Sequence, residues 1–207
     1  MNSSSPKLDS PTTLQATLAR PLITLLFAAI LVCNPTAETQ AQDAKPQPYH
    51  GKPHTIPGLI EAEHWDKGPS GVAYVDTTPA NQGEDYREKT QVDIEKRPDA
   101  SNGHGLGWIR EKEWLIYTVK VTQPGKYRIE MPVASPKLGG LFRIEMNGKD
   151  VTGPIRLSKS GDWKKLVLLN HKKVQLKKGT FQMKVVMIKN GESGAIGDID
   201  YFKFAKE

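Results

Sequence analysis

Cysteine is almost absent: Cys33 is the only one in 207 residues. A lone cysteine forms no internal disulfide and no cysteine-based zinc site. Long apolar runs are missing as well. Leu22 to Val32 is an apolar stretch too short to span a bilayer as a helix, which takes ~20 residues. There is no HExxH, no Walker loop, no GxGxxG opening a helix and no GxSxG, so the local signatures of metalloproteases, nucleotide-binding enzymes and serine hydrolases are lacking. Charge of one sign does not dominate, since 29 Lys+Arg stand against 23 Asp+Glu for a net +6. A surplus of that size is compatible with nucleic acid, an acidic polymer or a merely soluble surface.

What is present begins with a targeting pattern. Arg20, the apolar run Leu22–Val32 and then small and polar residues follow the grammar of a secretory signal. Ala41 is the expected cleavage point, giving residues 1–41 as signal and an exported mature chain, secreted or periplasmic. An uncleaved anchor is the alternative. A lipoprotein fits less well, because bulky Val32 precedes Cys33. Cleavage would remove Cys33 and leave the net charge unchanged, since Lys7 and Arg20 balance Asp9 and Glu38. An exported chain without cysteine must rely on core packing or a metal. The polar, Pro-containing residues 42–55 read as a linker, and 56–207 as one domain.

That domain reads as all-β. Turn signals recur every 8–12 residues or so, among them Pro57-Gly58, Asn102-Gly103, Pro124-Gly125, Asn147-Gly148, Lys178-Gly179 and Asn190-Gly191. Between them apolar residues alternate. Leu115, Tyr117, Val119 and Val121 share one strand face, and Tyr127, Ile129, Met131 and Val133 repeat the period after Pro124-Gly125. Phe181, Met183, Val185 and Met187 do the same before Asn190-Gly191. Rows of this kind suit a sandwich or a barrel.

Several chemistries are weak on these residues. The nearby carboxylates Glu111 with Glu113, and Asp198 with Asp200, read as surface charges rather than as a glycosidase pair. The basic blocks Lys164-Lys165, Lys172-Lys173 and Lys177-Lys178 lack the interleaved aromatics of a single-strand binder, so nucleic acid is not expected. Most such runs are solvated faces.

More specific is Ile60-Glu61-Ala62-Glu63-His64-Trp65 at the start of the domain. On a strand Glu61 and Glu63 point to one side, ~7 Å apart. Asp198 and Asp200 share a side in the closing segment Asp198-Ile199-Asp200-Tyr201-Phe202. If the terminal strands pair, these acids converge, and a hard cation such as Ca²⁺ would relieve their repulsion. From spacing alone, solvated acids on edge strands remain the simpler reading.

These segments form an ordered set with Asn81-Gln82-Gly83-Glu84-Asp85-Tyr86-Arg87, Val92-Asp93-Ile94, Gly107-Trp108-Ile109, Glu113-Trp114-Leu115-Ile116-Tyr117-Thr118-Val119 and Gly161-Asp162-Trp163. The set resembles carbohydrate-binding module family 6 over about 56–206. The resemblance implies a jelly-roll β-sandwich of two antiparallel sheets that binds a polysaccharide or oligosaccharide without cleaving it. It implies a structural Ca²⁺ on Glu61, Glu63 and Asp200. It also implies a sugar site in the end loops, with Tyr86 and Trp163 as stacking aromatics and Asp198 as hydrogen-bonding partner. Trp108 would serve a second cleft, while Trp114 packs. A monomer is expected, with no stable membrane insertion after processing.

Three departures from the family pattern stand out: Glu84 where a second glycine is usual, Asp198 for asparagine, and Lys164-Lys165-Leu166 where a second tryptophan often follows. They cast doubt on the usual neutral ligands and raise the prospect of an acidic glycan. A structural or protein-interaction sandwich that has lost sugar binding is the alternative, and a small hydrolase a distant third.

Overall fold

A computed structural model describes residues 44–83, 86–87 and 89–207. The expected signal segment, 1–41, lies outside the described residues. Two sheets face one another. The first contains β1 (His54–Ile56), β3 (Tyr74–Val75), β6 (Trp114–Val121), β8 (Leu141–Met146), β9 (Lys149–Asp150), β10 (Ile155–Arg156) and β12 (Gly179–Lys189). The second contains β2 (Gly58–Glu61), β4 (Ile94–Lys96), β5 (His104–Leu106), β7 (Gly125–Ala134), β11 (Val167–Leu176), β13 (Asp198–Ile199) and β14 (Tyr201–Lys206). Pairing is antiparallel throughout except between β1 and β6. Most strands adjacent in sequence cross between sheets, as in a jelly roll, while β4–β5, β8–β9–β10 and β13–β14 stay within one. Among the described residues no helix is long and apolar enough to cross a membrane.

The alternation read from the sequence sets the core. Leu115, Tyr117, Val119 and Val121 of β6, Tyr127, Ile129, Met131 and Val133 of β7, and Met183, Val185 and Met187 of β12 are all buried in one cluster between the sheets. Removing any of these side chains from water contributes on the order of 1.5–3 kcal/mol, which explains why the period of two is kept so strictly here. Trp114 is turned to the outer face, half-buried, with the Lys184 ammonium 3.9 Å over its ring.

The terminal strands do pair. β14 runs between β7 and β2, with Tyr201 opposite Glu61 and Phe202 opposite Ile60. The stretch expected as a linker joins the body earlier than its polarity suggested. Gln47 exchanges backbone hydrogen bonds with Lys67 at 2.8 and 2.7 Å, and Tyr49 stacks on His64 with ring centroids 4.4 Å apart.

Candidate functional site

At one end of the sandwich, the β5–β6, β10–β11 and β12–β13 loops enclose a cleft of about 280 Å³. Trp108, Trp163 and Asp198 all line it, together with Glu95, Arg110, Ser193 and Ala195.

Trp108 sits in the β5–β6 loop with a left-handed backbone, φ 50°, and is 39% exposed. A bulky residue in that region is held by its surroundings rather than by preference. Here the surroundings are explicit. Gly107 N–H donates to the Asp93 carbonyl at 3.2 Å, and the Ile109 carbonyl accepts from Ile196 N–H at 2.8 Å. Buried Glu113 closes the loop by accepting Arg110 N–H at 2.9 Å and the Thr77 hydroxyl at 2.6 Å. Arg110 then donates to the Gly194 carbonyl at 2.8 Å, tying this loop to the one after β12.

Trp163 is half-buried in the β10–β11 loop. Ser160 N–H and Gly161 N–H both donate to the Ser135 carbonyl, at 2.8 and 3.2 Å, which pins the loop to the end of β7. Asp162 caps the turn by accepting Lys164 N–H at 3.0 Å.

Asp198 opens β13, opposite Ala134 of β7, and is 4% exposed. Its carboxylate meets the buried guanidinium of Arg97 at 2.8 Å. Burial pushes the Asp198 carboxyl up to about 7, Arg97 opposes that shift, and Glu95 adds to it. Arg97 also pairs with Glu95 at 2.8 Å and Asp99 at 3.1 Å, and donates to the Trp163 carbonyl at 2.8 Å. One buried cation therefore fixes both the acid and the tryptophan loop of the cleft.

Tyr86 does not line this cleft. One face of its ring is stacked on His104, centroids 4.5 Å apart. Its hydroxyl is 3.0 Å from His64 Nε2 and 3.1 Å from the Tyr49 hydroxyl, and burial raises its pKa. The ring contacts of Tyr86 are made inside the protein, so Tyr86 and Trp163 are not brought together, while Trp108, expected in a second cleft, lines the same cleft as Trp163. Lys164 and Lys165 are exposed but are not part of the lining either. Arg97 carried no motif. Its one signal was the alternation Glu95-x-Arg97-x-Asp99, which sets an arginine between two acids on the same side of an extended chain.

The acids of the terminal strands form a second locus. Ser101 bridges two of them: its hydroxyl lies 2.7 Å from Glu61 and 3.1 Å from Asp200, and its N–H is 3.2 Å from both Asp200 oxygens. Glu63 is fully buried. Its Oε1 accepts from Asn102, while its Oε2 has no partner among the described residues. Burial, with smaller contributions from Glu61 and Asp200, pushes Glu63 up to about 7. Among the described residues no group of three or more His, Cys, Asp and Glu side chains has metal-holding spacing. The chemistry of this locus nonetheless fits a hard cation, with all-oxygen donors and one buried carboxylate oxygen left without a partner.

Comparisons with known proteins agree with this architecture. The family model of carbohydrate binding module (family 6) matches residues 82–206. The C-terminal family 6 module of a marine laminarinase from Zobellia galactanivorans is 24% identical, with a TM-score of 0.53 over 72% of this chain and 98% of that one. A β-1,3-glucan-binding family 6 module from Bacillus halodurans is 21% identical, with a TM-score of 0.56 over 74% and 98%. The clotting factor G alpha subunit of Tachypleus tridentatus is 30% identical over 104 residues, which are 49% of this chain and 15% of that protein, so this chain spans only a small part of that relative. The chain belongs to carbohydrate binding module family 6, a family of binding rather than catalytic domains.

Proposed function

We propose that this chain is an exported carbohydrate-binding protein that takes a sugar ring against Trp108 and Trp163 in the end cleft. Asp198 accepts hydrogen bonds from the sugar hydroxyls. The observation that carries this reading is that two tryptophans from separate loops and a buried carboxylate at the start of β13 line one cleft. Sugar rings present apolar C–H faces that pack on aromatic planes, and their hydroxyls need fixed polar partners. Glu95 and Asp198 are both paired with Arg97 and share the lining with Arg110, so the cleft carries no surplus of positive charge to draw an acidic ligand, and a neutral one fits. β-1,3-Glucan is the first class to test, since two structurally similar modules come from a laminarinase and a β-1,3-glucan binder.

Glu61, Glu63 and Asp200 would hold a structural Ca²⁺, supported by the unpartnered oxygen of Glu63 and by the Ser101 hydroxyl that draws Glu61 and Asp200 together. The ion would neutralise the converging acids and tie β2 to the closing strands, contributing stability rather than contact with sugar. Binding of soluble laminarin and of a neutral glycan array tests the reading. Retention by the wild type and its loss in W163A are expected. A silent array with a folded protein would instead favour an interaction module that has lost sugar binding.

A further inference from the structure

The excess lysines of the sequence find a setting at the other end of the sandwich. β12 runs from the Lys177-Lys178-Gly179 turn to the loop that lines the end cleft, so roughly 30 Å of strand separates the two ends. At the turn end lies a groove of about 430 Å³. Its floor is apolar, made by Met146, Val151, Leu176 and the half-buried ring of Phe181. The ring lies against the turn: a Cβ on Gly179 would meet Phe181 Cε2 and Cζ at 3.3 Å.

Three lysines line this groove, each from a different segment. Lys149 comes from β9, Lys177 from the turn, and Lys173 from the bulge that interrupts the pairing of β11 with β7. Lys173 holds a left-handed backbone, φ 67°. Among the described residues none of the three has a carboxylate within salt-bridge distance. The one acid in the lining, Asp150, is engaged by the N–H groups of Thr152 and Gly153 at 3.0 and 2.8 Å.

We propose that this groove is a second binding site, for an anionic oligosaccharide carrying sulfate or carboxylate groups. Like charges gathered on one groove repel until an anion enters, and the Phe181 ring offers the apolar face that a sugar ring covers. The volume suits one or two sugar rings and not a nucleic-acid duplex. The site is separate from the end cleft, whose lining sets Glu95 and Asp198 beside Arg110.

The test is calorimetric titration of the full chain with a sulfated hexasaccharide, an oligogalacturonate and a neutral hexasaccharide. A single-stranded DNA 12-mer and polyglutamate serve as control polyanions. At least one anionic sugar is expected to bind, with affinity falling as salt rises. K149E/K177E should weaken that binding at least about tenfold, and K149Q/K177Q should weaken it less, with melting curves showing both variants folded. K164E/K165E should change it less than about twofold. W163A, which disables the end cleft, should leave it in place. Binding of only one anionic sugar identifies sulfate or carboxylate as the group read. The proposal is overturned if neither anionic sugar binds, if DNA or polyglutamate binds as tightly, or if W163A or K164E/K165E abolishes the binding.

Discussion

Replacing Arg97 by methionine should make the stability deficit grow with pH, and the structure gives the amount. In the wild type, Asp198 is held at about 7 against an ordinary 3.8. A raised carboxyl contributes stability that is fully present below the unfolded value and is lost as pH rises through the folded one. Its loss therefore runs at about 1.4 kcal/mol per pH unit from about 4 to 7 and then stops. Without Arg97 the Asp198 carboxyl rises further, so in R97M the loss continues above pH 7. Between pH 5 and 6 the two proteins share the same slope. The deficit of R97M there reflects only the lost bonds to Asp99, Glu95 and the Trp163 carbonyl, about 2–3 kcal/mol for charged hydrogen bonds partly replaced by water. By pH 8 it should widen by about 1.4 kcal/mol. Other titrating groups, such as Glu63 and Asp93, cancel in the comparison. Urea unfolding of wild type, R97M and R97M/D198N at pH 6, 7 and 8 measures this. A deficit that stays flat above pH 7, or one that widens equally in R97M/D198N, would refute the assignment of Arg97 as counter-ion to Asp198.

Other consequences can be checked alongside. Calcium at a hundredfold excess over its Kd should add about 2.7 kcal/mol to unfolding at pH 8, reversed by EDTA and absent in E63Q. Because Glu63 is raised to about 7, calcium binding should release protons near neutral pH and weaken below it, measurable by titration in buffers of different ionisation enthalpy. Burial raises Asp93 to about 6, and it accepts Gln82 N–H at 2.6 Å. D93N should therefore melt higher than wild type at pH 8, with the gain gone by pH 4. A Cβ at position 191 would lie 2.4–2.6 Å from the backbone of Leu138, Gly139 and Gly140. G191A should then destabilise by ~2 kcal/mol or more and lower glycan affinity, because the β12–β13 loop that lines the cleft must shift.

The sandwich was legible because alternation is enforced residue by residue. A one-residue slip in β6 would turn Tyr117 out and Thr118 in, and no turn signal could hide that. The pairing of the terminal strands entered the sequence reading only as a condition for the acids to converge, and β14 with β2 meets that condition. The cleft was legible only in part. Trp163 and Asp198 were expected in one cleft and line one together, whereas Trp108 was expected in a separate cleft and lines the same one. Which aromatic stands beside Trp163 depends on loop paths that periodicity does not encode: Trp108 owes its place to a left-handed backbone fixed by Glu113 and Ile196. Tyr86 looked like a ligand contact, but its fate is set by His104, His64 and Tyr49, which are 18, 22 and 37 positions away in the chain. Of Arg97's partners the sequence hinted only at the near ones, Glu95 and Asp99, because Asp198 is 101 positions away.

The most direct test of the binding site is titration of laminarin-derived and other neutral oligosaccharides into wild type, W108A, W163A and Y86A. If the end cleft binds sugar, W108A and W163A should each weaken affinity about tenfold or more, equal to about 1.4 kcal/mol per ring, while Y86A stays close to wild type once its stability is matched. Unchanged affinity in both tryptophan variants, or loss confined to Y86A, would contradict it.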